Sequence, residues 1–553
     1  MTAPGRSAAG PWESLGDFTA TPRLIPISLL AIAIGVLSCF VALALLKLIG
    51  LFTNLFFFQR WQTALVSPAD AHLGGLVVLV PVVGGLIIGV LARFGSERIR
   101  GHGIPEALES IMLRGSRVEP VLALLKPLSA AISIGSGGPF GAEGPIIMTG
   151  GAFGSLVAQA FNLTSAERKT LLVAGAAGGM AATFGTPLAA TLLAVELLLF
   201  EWKPRSFVPV ALAAAAALTT HNYVFAPGPL FTVPPHPSVF GVTSILAAVV
   251  CGVGAGLLSA AMTSSVYLFE DLFKRLTIHW MWWPAIGGLV IGLGGLVDPH
   301  ALGVGYDSIG DLLNGRLAVP AILTLVAVKW AIWAFSLGSG TSGGVLAPLL
   351  MLGGALGALE GHFLPFAGTG FWALISMGAI LGGTMRSPLT GILFAAEVTH
   401  DFGVLVPLTI ASVTAHCFTV LTLKRSILTE KVARRGYHIA REYEVDPLEI
   451  LFVRDVAPPA IEPVAPPPHS RPLAPEFRVH LDDTLRTVSY RMATANVTML
   501  PILDDRGYFI GELTLADVLK ARLRHLDQET RRERPLPIHQ LLLKFSRREP
   551  AKR

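Results

Sequence analysis

Three short glycine–proline motifs carry the chemistry this sequence is expected to do. GHGIP at 101–105, GAEGP at 141–145 and GVLAP at 344–348 each stand directly before an apolar stretch. Proline in the first helical turn loses no hydrogen bond, and glycine lets backbone approach a ligand closely. Each motif therefore predicts a helix N-terminus with free N–H groups and the positive end of a helix dipole. That arrangement suits an anion, which backbone amides can hold without a buried fixed cation. Any one motif alone reads better as a helix-breaking turn. Three together, two of them related by an internal repeat, favour an anion site.

Glu143 stands inside the second motif, between Gly141 and Gly144. A carboxylate at membrane depth is costly and marks a functional position by default. Here the amides that would bind an anion are also placed to bind the carboxylate, so Glu143 is expected to compete with the permeant ion. Protonation would end the competition, which makes Glu143 a candidate gate and proton carrier. The structural alternative is a capping acid at a water interface.

The elements that must position these groups are membrane helices. Of 553 residues, 52% are hydrophobic and only 14% charged, against about 25% charged in soluble domains. Residues 1–423 hold 38 charged residues, 19 of each sign, whereas 424–553 hold 41 with a net of +5. A neutral, sparsely charged membrane part is thus followed by a soluble tail, and the basic excess beside the last apolar segment is the ordinary cytoplasmic-side bias rather than a nucleic-acid surface. Apolar stretches long enough to span, about 20 residues, include 25–58, 73–92, 241–269, 318–337 and 403–423. Many others, such as 145–161, 207–220, 284–297 and 371–381, are short and broken by Gly or Pro. Cys39, Cys251 and Cys417 each lie in an apolar stretch and are expected to be buried, with no disulfide or metal-site spacing. Residues 1–24 lack a signal-peptide core and are expected to be a cytoplasmic segment.

The membrane part is duplicated. SGGPFGAEGPIIMTGGAFGSL (136–156) aligns without a gap to SGTSGGVLAPLLMLGGALGAL (339–359), an offset of 203, and TFGTPLAATLLAVEL (183–197) to TMRSPLTGILFAAEV (384–398), an offset of 201. The second match puts Glu196 and Glu397 in register. The copies run over about 73–220 and 284–423. Broken helices at corresponding positions of two halves point to a transport site.

In the tail, the Pro-rich run at 457–475 falls in a linker (437–476), and 477–525 reads as helix, strand, turn at Asp505–Gly507, strand, helix. Residues 526–553 form a polar tail.

GHGIP, GAEGP and GVLAP, in this order within a duplicated broken-helix domain, resemble the CLC family of chloride channels and proton/chloride antiporters, over residues 25–436. The resemblance implies an all-α polytopic membrane protein, an inverted-repeat bundle of short broken helices, assembled as a homodimer with one anion pathway per subunit in the plasma (inner) membrane. It implies that Glu143 is the gating glutamate, that anion contacts come from His102, Gly103, Ile104, Gly141, Ala142, Gly144, Val345 and Leu346, and that Lys126 is the family's buried basic residue. Departures from the pattern are informative. His102 stands where Ser is usual, Ala142 where Arg often precedes the glutamate, Leu346 where Phe is frequent, and Leu428 where an anion-facing Tyr is expected. The inner proton-transfer glutamate falls at Leu197, with Glu196 beside it. Adjacent residues on a helix point about 100° apart, so Glu196 is either a displaced proton-pathway acid or a structural one.

The stretch LPILDDRGYFIGELTLADVLKA (500–521) resembles a cystathionine-β-synthase (CBS) motif, giving the tail a small α/β character. The acid of Thr514-x-x-Asp517 is the family's ribose contact, which makes Asp517 a candidate for an adenine nucleotide. Two motifs normally form one module and only one is found, so dimer contact or stabilisation is the alternative role. No resident cofactor or metal is expected. The partners expected are chloride, protons, the bilayer and a second subunit. Proton-coupled exchange and passive conduction both remain open. A membrane-embedded enzyme using Glu143 and Glu196 as acid and base is the rival class, though the sequence offers it neither a nucleophile nor a metal cluster.

Overall fold

The computed structural model describes residues 22–225, 227–236, 241–364, 367–436, 448, 451–456, 478–504 and 508–532. They form two compact units, divided between residues 441 and 442. Most of the N-terminal segment, the Pro-rich run, the Asp505–Gly507 turn and residues 533–553 lie outside the described residues.

The first unit is helical. Its first half runs through α1 (Leu24–Phe58), α2 (Leu79–Phe94), α3 (Ile104–Leu113), α4 (Pro120–Gly135), α5 (Glu143–Gln159), α6 (Ser165–Phe184), α7 (Pro187–Leu193) and α8 (Pro204–Val224). The second half repeats the order as α9 (Val242–Lys274), α10 (Trp283–Val297), α11 (Tyr306–Leu313), α12 (Val319–Gly338), α13 (Leu346–Glu360), α14 (Gly368–Met385), α15 (Pro388–Thr399) and α16 (Leu405–Thr422), and α17 (Ile427–Ala433) follows. Packing repeats as well: α1 lies on α4, α6 and α8 as α9 lies on α12, α14 and α16. The duplication therefore extends outward to α1 and α9, where LFTNLF (51–56) also matches LFEDLF (268–273).

Among the described residues, eight helical segments are long and apolar enough to cross a membrane. They include Pro204–Val224, Trp280–Val297 and Gly368–Met385, where the sequence offered only short, interrupted stretches. At 1.5 Å per residue the 35 residues of α1 reach about 50 Å, well beyond the ~30 Å hydrocarbon core, so this helix must tilt or protrude. Other helices, such as α5 and α13, are short and begin inside the protein. Irregular backbone at that depth survives only where protein or a polar cavity satisfies it.

Each half is built around a buried helix. From Thr170 to Phe184 every residue of α6 is buried, and α14 is buried from Gly370 to Met385. Small side chains let backbones approach: Gly150 of α5 and Gly175 of α6 each lie against the other's carbonyl oxygen, leaving no room for a Cβ at either. Cys39 and Cys251 are buried as expected, but Cys417 is exposed on α16. It lies on the outward face of the helix while Ser412, Ala415 and Thr419 face the protein.

The second unit has α18 (Leu485–Ala495), β1 (Met499–Leu503), β2 (Phe509–Thr514) and α19 (Leu515–Arg532), with the strands antiparallel and Leu500 opposite Leu513. Its apolar core joins Val479, Leu485, Val488, Leu500, Ile502, Leu513 and Val518 to Val453. Residues 451–456, upstream of the Pro-rich run, thus belong to this unit, and α19 continues into the stretch read as polar tail.

Candidate functional site

The three motifs meet. Gly141 N–H donates to the Gly344 carbonyl at 3.2 Å and Gly344 N–H donates back to Gly141 at 2.9 Å. This antiparallel bridge is what a local two-fold between inverted copies requires. The first motif joins beside it: Gly101 N–H donates to Thr341 O at 3.3 Å, and Gly343 N–H to Gly101 O at 3.4 Å. Gly103, at φ 92°, packs against the Gly144 carbonyl so closely that only a residue without Cβ fits. The starts of α3, α5 and α13 are thereby drawn to one place. Ile104 and Leu346 open α3 and α13, and Ala142 and Val345 are the N-caps of α5 and α13, with no side-chain cap on either. Uncapped helix starts keep their N–H groups for a ligand.

Glu143 is fully buried. Its carboxylate folds back against Gly141 and reaches the backbone of Gly344, with its own amide and that of Ala347 directed at it. It therefore occupies the meeting point of α5 and α13. Neither oxygen has a partner in strict hydrogen-bond geometry. Ala347 lies within the third motif but was missed from sequence, because the resemblance carried anion contacts only onto Val345 and Leu346.

Two buried lysines flank the site. Lys126 donates to Ile99 O and Gly101 O at 2.8 and 2.7 Å, and Lys329 donates to Ala301 O and Gly303 O at 2.9 and 2.8 Å. Each ammonium fixes the loop that leads into a Gly-x-Gly helix start, Gly101-His102-Gly103 before α3 and Gly303-Val304-Gly305 before α11. Lys329 stands 203 residues after Lys126, the offset of the first repeat match, so that offset alone would have found it.

At the first motif His102 is buried, with Nδ1 unpartnered. Beside it Glu106 caps Gly103 N–H at 2.8 Å and pairs with Lys431 of α17 at 3.0 Å. A cavity of about 720 Å³ opens here, lined among others by Arg98, Arg100, Lys274, Lys431, Arg434 and Arg435. Glu97, Glu109, Glu119 and Glu270 line it too, so it is a mouth of mixed charge. Leu428 is buried in α17, which packs on α3, and the Tyr267 hydroxyl donates to the carbonyl of its neighbour Ile427.

Glu196 lies in a π-helical segment, Ala194–Leu199, where its carboxylate accepts from Thr390 N–H and Oγ1 at 2.8 and 2.6 Å and from Leu389 N–H at 3.2 Å. It caps α15. Glu397 caps α7 in return, accepting from Leu188 and Ala189 N–H at 3.0 and 2.8 Å. In the second unit Asp517 accepts from Thr514 N–H at 3.1 Å and Thr514 Oγ1 at 2.6 Å, a reciprocal cap at the start of α19. No cluster of His, Cys, Asp and Glu fit for a metal occurs among the described residues.

An inverted helical duplication with helix starts converging on a buried carboxylate defines a membrane anion-transport fold. The chain belongs to the voltage gated chloride channel family, whose model matches residues 84–420, and a CBS domain matches 471–524. It is similar to a ClcB-like chloride channel protein of Ralstonia nicotianae, 28% identical over 73% of this chain and 97% of that one. It is also similar to the H(+)/Cl(-) exchange transporter ClcA of Vibrio campbellii, 33% identical over 60% of this chain and 75% of that one. Among solved structures, a slow cyanobacterial Cl-/H+ antiporter shares the fold at a TM-score of 0.64 and 20% identity, over 75% of this chain and 99% of the other.

Proposed function

We propose that this protein moves chloride across a membrane in exchange for protons, with the anion held by the starts of α3, α5 and α13 and Glu143 as gate. The observation that carries the reading is the position of Glu143: a fully buried carboxylate lodged where those amides converge. A negative side chain in an anion site blocks it when charged and leaves it when protonated, so one group couples the two ions. The similarity to an exchange transporter supports coupling. The role is transport rather than catalysis. Glu196, held as a cap, is not free to serve as the base of an acid–base pair.

Passive conduction is the second reading, favoured by Leu197 and Leu428 at the positions of the family's inner glutamate and tyrosine. Reconstitution in liposomes with a chloride gradient decides between them. Exchange gives a reversal potential that moves with an imposed pH gradient, and passive conduction gives one that ignores it. No anion flux at all would remove both.

Further aspects of the reading are a homodimer in the plasma membrane with the tail on the cytoplasmic side. The basic residues Lys424, Arg425, Lys431, Arg434 and Arg435 at the end of the membrane unit support that orientation. For the tail, the engagement of Asp517 in a helix cap supports stabilisation or dimer contact over adenine-nucleotide binding.

A further inference from the structure

The loop before α11 is the repeat mate of the first motif. Gly303-Val304-Gly305-Tyr306 stands 202 residues after Gly101-His102-Gly103-Ile104, and Lys329 anchors it as Lys126 anchors the other. Gly305, at φ 79°, is the N-cap of α11 as Gly103, at φ 92°, is that of α3. The second loop thus approaches the anion site from the opposite side, carrying an aromatic hydroxyl where the first carries an isoleucine.

Tyr306 is held on both sides. Phe184, at the end of α6, meets its ring edge-on with centroids 6.5 Å apart, and Phe231 meets it at 6.0 Å. Phe231 is itself fixed, its N–H donating to Val398 O at 3.2 Å, while His236 further along the same loop meets Asp401 at 2.5 Å. The hydroxyl faces the Glu143 carboxylate. It is buried and has no partner in strict hydrogen-bond geometry, and the same is true of both Glu143 oxygens. A buried phenol normally finds an acceptor, and here a lone donor faces a lone acceptor. The amides of Glu143 and Ala347 are also directed at the carboxylate, and the Lys329 ammonium, which donates to Ala301 O and Gly303 O, acts on it through its charge.

We propose that Tyr306 is a latch on the gate: its hydroxyl donates to the Glu143 carboxylate and holds it in the anion site. The inference rests on the reading of Glu143 as gate. The latch is specific to the charged carboxylate, so it slows anion passage at neutral and alkaline pH and is released when Glu143 takes up a proton.

Tyr306→Phe tests this while keeping the ring contacts. A hydrogen bond to a charged group corresponds to about a tenfold effect. Chloride flux into liposomes at pH 7.5 is therefore expected to rise about tenfold, and the acid activation of flux to move to higher pH by about one unit. In the Glu143→Gln background the same substitution is expected to leave flux unchanged. Equal flux and an unmoved pH profile in Tyr306→Phe overturn the latch, as does an equal effect with and without Glu143. Wild-type protein that carries no chloride would instead overturn the gate reading beneath it. Should Tyr306→Phe yield poorly folded protein, Phe231→Leu, which loosens the ring without touching the hydroxyl, is expected to raise flux in the same Glu143-dependent way. An unchanged profile there counts against the latch.

Discussion

Glu196 and Glu397 exchange helices: each caps the helix that begins the other's segment of the duplication, Glu196 at Thr390 of α15 and Glu397 at Ala189 of α7, both at 2.8 Å. The two halves are thus cross-linked by charge-assisted hydrogen bonds at equivalent points. A carboxylate holding three donors from one helix start is committed to structure.

Neutralising Glu196 as Glu196→Gln is expected to weaken those bonds by about 1–2 kcal/mol in total. Thermal unfolding in detergent would read this as a lower Tm, with the proton-to-chloride ratio in liposomes unchanged. A fall in that ratio without a fall in Tm would return Glu196 to the proton route.

Glu143→Gln keeps the size of the gate and removes its charge and its titration. Anion movement is expected to persist and to lose its response to a pH gradient. Uphill chloride transport driven by protons in this variant would take Glu143 out of its role.

His102 is buried before the start of α3 with an unpartnered ring nitrogen, so His102→Ser is expected to change chloride-over-nitrate preference or the pH response of flux. The readout is the reversal potential under mixed-anion conditions. Unaltered selectivity and pH response would mark His102 as a packing residue.

Gly150→Ala drives a Cβ into the carbonyl of Gly175, which neither helix can yield, and is expected to cost at least about 2 kcal/mol. Gly354→Ala on the other half is the control, since its nearest neighbour would be Leu312 Cδ1 at 3.8 Å. There the gain in helix propensity, up to about 1 kcal/mol, is expected to show. Size-exclusion profiles and Tm of the two variants distinguish close backbone contact from a general intolerance of substitution.

The fold was legible where backbone geometry restricts residue type. Glycine where helices cross and proline in first turns recur at the same offset in both copies, which revealed the duplication, the motifs and the depth of Glu143. Side-chain partnerships were less legible, because they join segments about two hundred residues apart. Nothing local in AVEL or AAEV tells that their acids exchange caps. Lys329 and Tyr306 were within reach, at offsets of 203 and 202 from Lys126 and Ile104, but neither sits in a motif dense enough in Gly and Pro to draw notice.

The reciprocal bonds between Gly141 and Gly344 tie the two halves together where α5 and α13 begin. Rocking one half against the other would break this seam at every turnover, which favours a side chain as the moving part. The work of each cycle then scales with one rotamer and one proton rather than with the displacement of a bundle. Bilayer thickness and stiffness, which load rigid-body motions, are expected to leave its turnover nearly untouched.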